Sequence, residues 1–271
     1  MTDKISVELG DVQKTLFLPL WGRAFETKKE KPLLRDRIAL EIIEKVDYDF
    51  ASITKNIAVL SQVAWIMRSI YIDAVIKDFL EKHPKATIVN IGCGMDTTFD
   101  RIDNGLLLWY DLDLPDVIEL RRKFIEESER RKFISASFLD AGWLKEIIVE
   151  DSVLIIAAGV FYYFEEDEVK AFLKRLADIF PQCEIFFDAC SPRGREIANK
   201  RVISSTGLDE KSFLKWGLKN TNDILSWDNR FVILKKYYYF KYKDLKLRTR
   251  MIGSISDWLK IQYMIRLRIG Q

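Results

Sequence analysis

Apolar runs and segments of helical period alternate through the middle of the chain. Val63, Ile66, Met67, Ile70 and Ala74 recur three and four apart, which predicts a helix that His83-Pro84 brings to an end. Residues 86–91 then read as a first strand, and the apolar run 106–110, ending in Asp111-Leu112-Asp113, as a second. Asp113-Leu114-Pro115-Asp116 carries a capping acid and an early proline, which predicts a helix over 117–131. Residues 133–138 and 152–157 are the third and fourth strands, the fourth apolar on both faces as a central parallel strand must be. Val169, Phe172, Leu173, Leu176 and Phe180 mark an amphipathic helix opened by Glu165-Glu166-Asp167, and 184–188 is the fifth strand.

The C-terminal part changes character. Residues 231–242 read as one long strand. Further on, Ile261, Tyr263, Ile265, Leu267 and Ile269 alternate with Gln262, Met264, Arg266 and Arg268. Period two predicts a buried face and a wet face, as in an antiparallel pair at a sheet edge. The expectation is an α/β fold with a mostly parallel seven-stranded sheet, an antiparallel C-terminal edge and a helical cap. It is a single domain over 1–271: an N-terminal cap (1–60), a core (61–190), a cap insertion (191–228) and the terminal strands (229–271). The cap is placed over the C-terminal edge of the sheet, where such folds bind ligands.

Composition narrows the partners. The chain has 271 residues with 43 basic and 41 acidic side chains, so its net charge of +2 gives no general field for nucleic acid. Cys93, Cys183 and Cys190 have neither metal-ligand spacing nor an even-numbered framework, which points to a reducing compartment and no metal. Residues 1–10 carry charges and no apolar core, unlike a signal peptide, and the nearly apolar run 153–164 is too short to cross a bilayer. A cytoplasmic protein with no membrane or nucleic-acid partner is expected; no feature selects an oligomeric state.

The chemistry concentrates where the first two strands end. Ile88-Val89-Asn90-Ile91 enters the glycine turn Gly92-Cys93-Gly94-Met95-Asp96, and the carboxylates Asp111 and Asp113 follow about 20 residues after it. Bare glycine allows main chain to approach a ligand closely, and a carboxylate at the tip of the next strand can accept bonds from two ribose hydroxyls. Asp96 stands where a dinucleotide fingerprint has its third glycine, and would repel a pyrophosphate. A cofactor with ribose and no phosphate fits, S-adenosylmethionine being the common one; a nicotinamide dehydrogenase does not.

With these residues in view, the chain resembles the leucine carboxyl methyltransferase superfamily, in particular its tetracenomycin-type branch of small-molecule O-methyltransferases. The matching stretches are Pro19-Leu20-Trp21-Gly22-Arg23-Ala24 with Glu26, Pro32-Leu33-Leu34-Arg35-Asp36, Arg68 with Asp73, 90–97, 111–115 and 159–164. The resemblance implies the Rossmann-like class I methyltransferase fold, with S-adenosylmethionine as cofactor and S-adenosylhomocysteine as product. It also implies that Arg68 pairs with the cofactor's carboxylate and that Gly92, Cys93, Gly94 and Asp96 pass under its amino-acid part. Asp113, or Asp111 two residues earlier, holds the ribose beside Leu112, and Ser137, Phe138 and Asp140 flank the adenine. Ala158 and Gly159 complete the cofactor side. Thr98 and Ala158 depart from the pattern, standing where many relatives have Arg and Glu.

Tyr162, Tyr163, Trp21, Phe25 and Trp216 are candidates for an acceptor pocket, each also explicable by packing. His83, the only histidine, falls at the far end of the first strand from the glycine turn, which separates it from the chemistry. Cys93 reads as a small filler of the turn. The reaction expected is in-line methyl transfer to an oxygen. Without a histidine in the site, a carboxylate or an acidic phenol is favoured as acceptor, since a phenol of ordinary pKa (about 10) needs a base. A polyketide-like molecule is one form of it. Carboxyl methylation of a protein C-terminus would need an open basic groove, and a cofactor-binding protein without catalysis is the alternative that Thr98 and Ala158 raise.

Overall fold

The computed structural model describes residues 4–6, 16–55, 58–200 and 213–270. A two-stranded parallel pair, β1 (Ile5–Ser6) and β2 (Val46–Asp47), lies among the N-terminal helices α1 (Phe17–Thr27), α2 (Arg37–Lys45) and α3 (Phe50–Thr54). The long helix α4 (Val59–Lys82) leads into the main sheet. Its strands are β3 (Thr87–Ile91), β4 (Leu108–Asp113), β5 (Arg131–Ser135), β6 (Val153–Ala157), β7 (Gln182–Ala189), β8 (Phe231–Tyr238) and β9 (Tyr263–Gly270). Between them run α5 (Thr98–Ile102), α6 (Pro115–Arg122), α7 (Glu166–Ile179), α8 (Pro192–Ala198) and α9 (Leu247–Trp258).

The strand order is β5-β4-β3-β6-β7-β9-β8, and only β9 runs against the rest. The expected seven-stranded, mostly parallel α/β sheet is therefore present. Every residue of β3 and β6 is buried, because helices cover both faces of these central strands. α4 fills one face with Met67, Ile72, Val75, Ile76 and Phe79. α7 fills the other with Val169, Phe172, Leu173 and Leu176. By length and composition α4 could cross a bilayer, but these packed side chains make it a core helix.

Three details differ from the sequence expectation. Helix α6 stops at Arg122 rather than 131, because Glu127 and Ser128 bond the main chain entering β5: the Phe133 amide donates to Glu127 Oε1 (2.8 Å) and the Arg131 amide to Ser128 Oγ (3.0 Å). The alternating strand β9 has no wet face over most of its length. It lies inside the sheet, so Met264 joins the core under α4 while Ile265 and Leu267 join the core under α7. Arg266 is buried through ion pairs with Glu184 and Asp78, both at 2.5 Å. Residues 239–258 form a short turn and helix α9, where the sequence reading continued a strand to 242 and assigned no helix. Of the expected cap segments, 1–3, 7–15, 56–57 and 201–212 lie outside the described residues.

Candidate functional site

Strand order reverses beside β3: β4 and β5 extend to one side, β6 and β7 to the other. Loops leaving the C-terminal ends of β3 and β6 diverge at such a point and leave a crevice between them. Here the crevice is a cavity of about 500 Å³. The glycine turn after β3 forms its floor, Asp113 and Leu114 follow from β4, Ser137 and Phe138 from the loop after β5, and residues 158–160 from the loop after β6. Leu16 and Pro19 close it at the start of α1, Leu60 and Trp65 from α4, and Ile197 and Leu214 from the segment after β7.

The floor is built for close approach. Gly92 (φ +60°) and Gly94 (φ +46°) both take the left-handed conformation, and a Cβ on Gly92 would come within 2.4 Å of Val160 Cγ2. The Gly94 amide donates to Asp113 Oδ2 (2.7 Å), so strand β4 holds the turn directly. Arg121 of α6 donates to the carbonyls of Gly94 and Asp96, each at 2.7 Å, and to Asp111 Oδ2 (2.8 Å). Asp111 also accepts from Arg131 Nε (3.0 Å) and from Asn90 Nδ2 (3.1 Å). It is fully buried and does not line the cavity; its work is to hold Arg121, which fixes the turn, with Arg131 packed on the same carboxylate. Both oxygens of Asp113 are placed by main chain, the second by the Leu114 amide (2.8 Å). Burial pushes its carboxyl up to about 6, against the opposing pull of the two amides and of Arg121.

Behind the turn lies a second buried ionic network. Asp36 accepts from Arg23 Nε (2.8 Å), Arg101 (2.9 Å) and the Thr97 hydroxyl (2.5 Å), and Arg101 forks onto both oxygens of Asp73 at 2.8 Å. Arg23 donates further to the Met95 carbonyl (2.8 Å). The N-terminal stretches around Arg23 and Asp36, and Asp73 on α4, thus meet in space to brace the glycine turn. Thr98 bonds Asp96 through both its amide (2.9 Å) and its hydroxyl (3.0 Å). Burial raises the Asp96 carboxyl, but Arg23, Arg101 and the Thr98 bonds outweigh it and hold it below the ordinary range.

Across the floor, Arg68 of α4 reaches Asp188 at the end of β7 (3.0 Å), and the Gly159 amide donates to the other Asp188 oxygen (2.6 Å). A Cβ on Gly159 (φ +79°) would sit 2.8 Å from the Arg68 guanidinium, so only glycine admits the arginine here. Burial works against the Arg68 charge, yet Asp188 overrides it and the group stays cationic. One guanidinium nitrogen is spent on Asp188; the side chain lines the cavity. Near it Tyr162 accepts a bond from Gln262 Nε2 (2.9 Å), and the buried Tyr239 phenol faces Asp188 and Arg68. Burial raises the phenols of Tyr162 and Tyr239 well above 10.

Arg68, Gly92, Cys93, Gly94, Asp96, Leu112, Asp113, Ser137, Phe138, Ala158 and Gly159 all line this one cavity, as do Tyr162 and Tyr163. Asp140 is exposed on the far side of the Ser137 turn, and Asp111 is enclosed as described. Trp21 and Phe25 stack on each other outside the cavity, at 5.2 Å between ring centres. Trp216 bonds Glu166 (3.0 Å), and the main chain at 215–216 bonds the Tyr162 carbonyl, so it supports the acceptor loop from behind. His83 pairs with Asp151 (3.0 Å) at the other end of the sheet. Cys93 is buried and its thiol pushed well up by burial, which leaves it inert. Asn90, Arg121, Asp188, Tyr239 and Gln262 were not singled out from the sequence. Each acts through a partner far along the chain, and no local spacing announces it.

Comparison with known proteins adds a family. The leucine carboxyl methyltransferase model matches residues 17–177. The tetracenomycin polyketide synthesis O-methyltransferase TcmP of Streptomyces glaucescens is 29% identical over 226 residues, covering 82% of this chain and 80% of its own. An S-adenosyl-L-methionine-dependent methyltransferase of Gibberella zeae is 30% identical over 205 residues, 69% of each chain. In fold, a DUF574-family protein of Streptomyces avermitilis superposes with a TM-score of 0.59 at 10% identity, over 92% of this chain and 97% of that one.

Proposed function

Because the chain belongs to the leucine carboxyl methyltransferase family, we propose that it transfers the methyl group of S-adenosylmethionine to an oxygen of a small, acidic acceptor. The cavity fits the cofactor on its own terms. Glycines stand where any Cβ would obstruct the floor or displace Arg68, a cation lines one side and a carboxylate the other, and the volume is that of a small-molecule site. Arg68 would take the carboxylate of the methionine part through the guanidinium face that Asp188 leaves open. Asp113 would accept from the ribose, and Ser137 and Phe138 would flank the adenine. When bound, the cofactor supplies a methyl group already activated by the positive sulfur.

The remaining lining is mostly apolar, with Leu60, Trp65, Ile197, Leu214, Phe240 and Ile261, and Tyr162 and Gln262 form a hydrogen-bonded polar pair within it. This part excludes water and orients an acceptor, which is where most of the rate can be gained. Among the described residues it also offers no base. Tyr162 and Tyr239 stay protonated at neutral pH, Gln262 does not titrate, and Asp188 is engaged by Arg68 and Gly159. An acceptor that arrives ionised needs none, and the positive charge of the cofactor favours an anion beside it. Both relatives named above are methyltransferases, and the one from Streptomyces glaucescens is an O-methyltransferase of polyketide synthesis, which agrees with a small acidic acceptor. The three buried, unbridged cysteines agree with a reducing, cytoplasmic setting.

The observation that carries this reading is the continuity, in one cavity, of Arg68, the glycine floor and Asp113 with a mostly apolar chamber that shows no base among the described residues. A labelled-methyl assay on carboxylic acids and phenols of graded acidity tests it. The rate should rise with pH along each acceptor's own ionisation. With the cofactor saturating at every pH, so that Asp113 does not enter, an inflection at one pH shared by all acceptors would place a base on the protein and contradict the reading.

A further inference from the structure

Helix α9 wears its apolar stripe on the outside. Leu247, Met251, Ile255 and Trp258 fall on one face by helical spacing and are 70%, 66%, 60% and 80% exposed, with Ile252 beside them. The opposite face fastens the helix to the body: a Cβ on Gly253 would run into the Phe240 ring, and Asp257 accepts the Phe240 amide (3.1 Å). A surface helix normally turns its apolar stripe inward, so an outward one marks a surface that meets something.

The charges around it are as uneven. Residues 241–260 hold six basic and two acidic residues, a net +4 in a chain of net +2, so the rest of the molecule is slightly acidic. Lys243, Lys246, Arg248 and Arg250 are exposed and form no ion pair among the described residues. Arg248 lies within the apolar stripe itself, one residue after Leu247 and three before Met251.

We propose that α9 is a peripheral docking helix that lays Leu247, Met251, Ile255 and Trp258 into the surface of an anionic lipid bilayer, with Lys246, Arg248 and Arg250 on the headgroups. Interleaved cations and large apolar side chains, ending in tryptophan, suit the boundary between headgroup and acyl chain. A second copy packed on the same face would set the uncompensated cations against themselves. An acidic peptide would answer the cations but leave Leu247, Met251, Ile255 and Trp258 without an apolar partner. Docking of this kind needs no spanning segment. The inner face of α9 and the residues after it, Ser256, Ile261 and Gln262, line the cavity, so the bilayer would lie against a wall of the acceptor chamber.

Co-sedimentation of the full chain with vesicles tests the proposal. Vesicles of phosphatidylcholine mixed with phosphatidylglycerol should carry the protein down at low salt, less at high salt; phosphatidylcholine alone should not. Arg248→Ala with Arg250→Ala should weaken the partition roughly thirtyfold, about fivefold per cation near an anionic surface. Met251→Glu with Trp258→Glu should abolish it. Both variants should keep the wild-type circular dichroism and affinity for S-adenosylhomocysteine, since neither pair lines the cavity. A wild-type protein that stays in the supernatant, or variants that sediment like it, would overturn the proposal. So would a wild-type dimer in light scattering that Met251→Glu with Trp258→Glu converts to monomer, or binding to polyglutamate without binding to anionic vesicles.

Discussion

The two ends of the cavity are held in opposite ways. At the glycine turn nearly every polar group is fixed by a buried charge: Arg121 and Arg131 on Asp111, Arg23 and Arg101 on Asp36, the Gly94 amide on Asp113. At the other end the Gln262–Tyr162 bond stands in a mostly apolar lining. The first end is rigid at the cost of desolvating several ions, a cost repaid only while every partner is present. The second can change its occupant by changing side-chain shape. Cofactor recognition therefore rests on a network, and acceptor choice on packing.

Removing a partner at the rigid end should do the most damage. Asp111→Ala leaves Arg121 and Arg131 buried without their carboxylate, and should cost about 3–5 kcal/mol of stability in denaturant unfolding. A change within about 0.5 kcal/mol would show that the network is not what holds the turn. Next, Arg68→Ala should weaken S-adenosylhomocysteine binding by roughly ten- to a hundredfold, the worth of a charged hydrogen bond. It should also lower stability, because Asp188 loses its counterion. The double variant Arg68→Ala with Asp188→Asn should regain stability without regaining affinity. Recovery of both would mean that Arg68 is structural only. At the soft end Gln262→Ala should raise KM for the acceptor about fivefold and leave cofactor affinity unchanged, as loss of one neutral hydrogen bond implies. Weakened cofactor binding there would erase the division between the two ends.

The same division explains what could be read from the sequence. The turn and its strands were legible because they are local: alternating runs, two glycines in three residues, a carboxylate at fixed spacing. Arg68 and Asp113 follow from that spacing together with family likeness. Asp111 was not separable from Asp113, since only the fold shows that Arg121 and Arg131 enclose one carboxylate and leave the other at the cavity. Asp188 and Gln262 reach the site from β7 and from just before β9, which pair antiparallel, a relation that no sequence period encodes. Trp216 is an aromatic near the site that packs behind it, and aromatic content cannot tell those positions apart. The period in α9 is present as Leu247, Met251 and Ile255, but a period does not say which way a face points. In β9 it suggested water where Met264 and Arg266 are covered.

Asp113 carries the central claim most directly. Its carboxyl is lifted to about 6, above the ordinary value, so between about pH 4 and 6 the folded chain retains a proton that the unfolded chain has released, and stability falls as pH rises through that window. Ribose hydroxyls donate best to the ionised form, which makes cofactor affinity rise over the same range. Calorimetric titration with S-adenosylhomocysteine from pH 5 to pH 8, on the wild type and on Asp113→Ala, measures that affinity. The account predicts one site per chain, with affinity increasing through about pH 6 in the wild type, and about tenfold weaker and nearly flat with pH in the variant. No binding by the wild type, or a variant that titrates like it, would contradict a cofactor held between the glycine floor and Asp113.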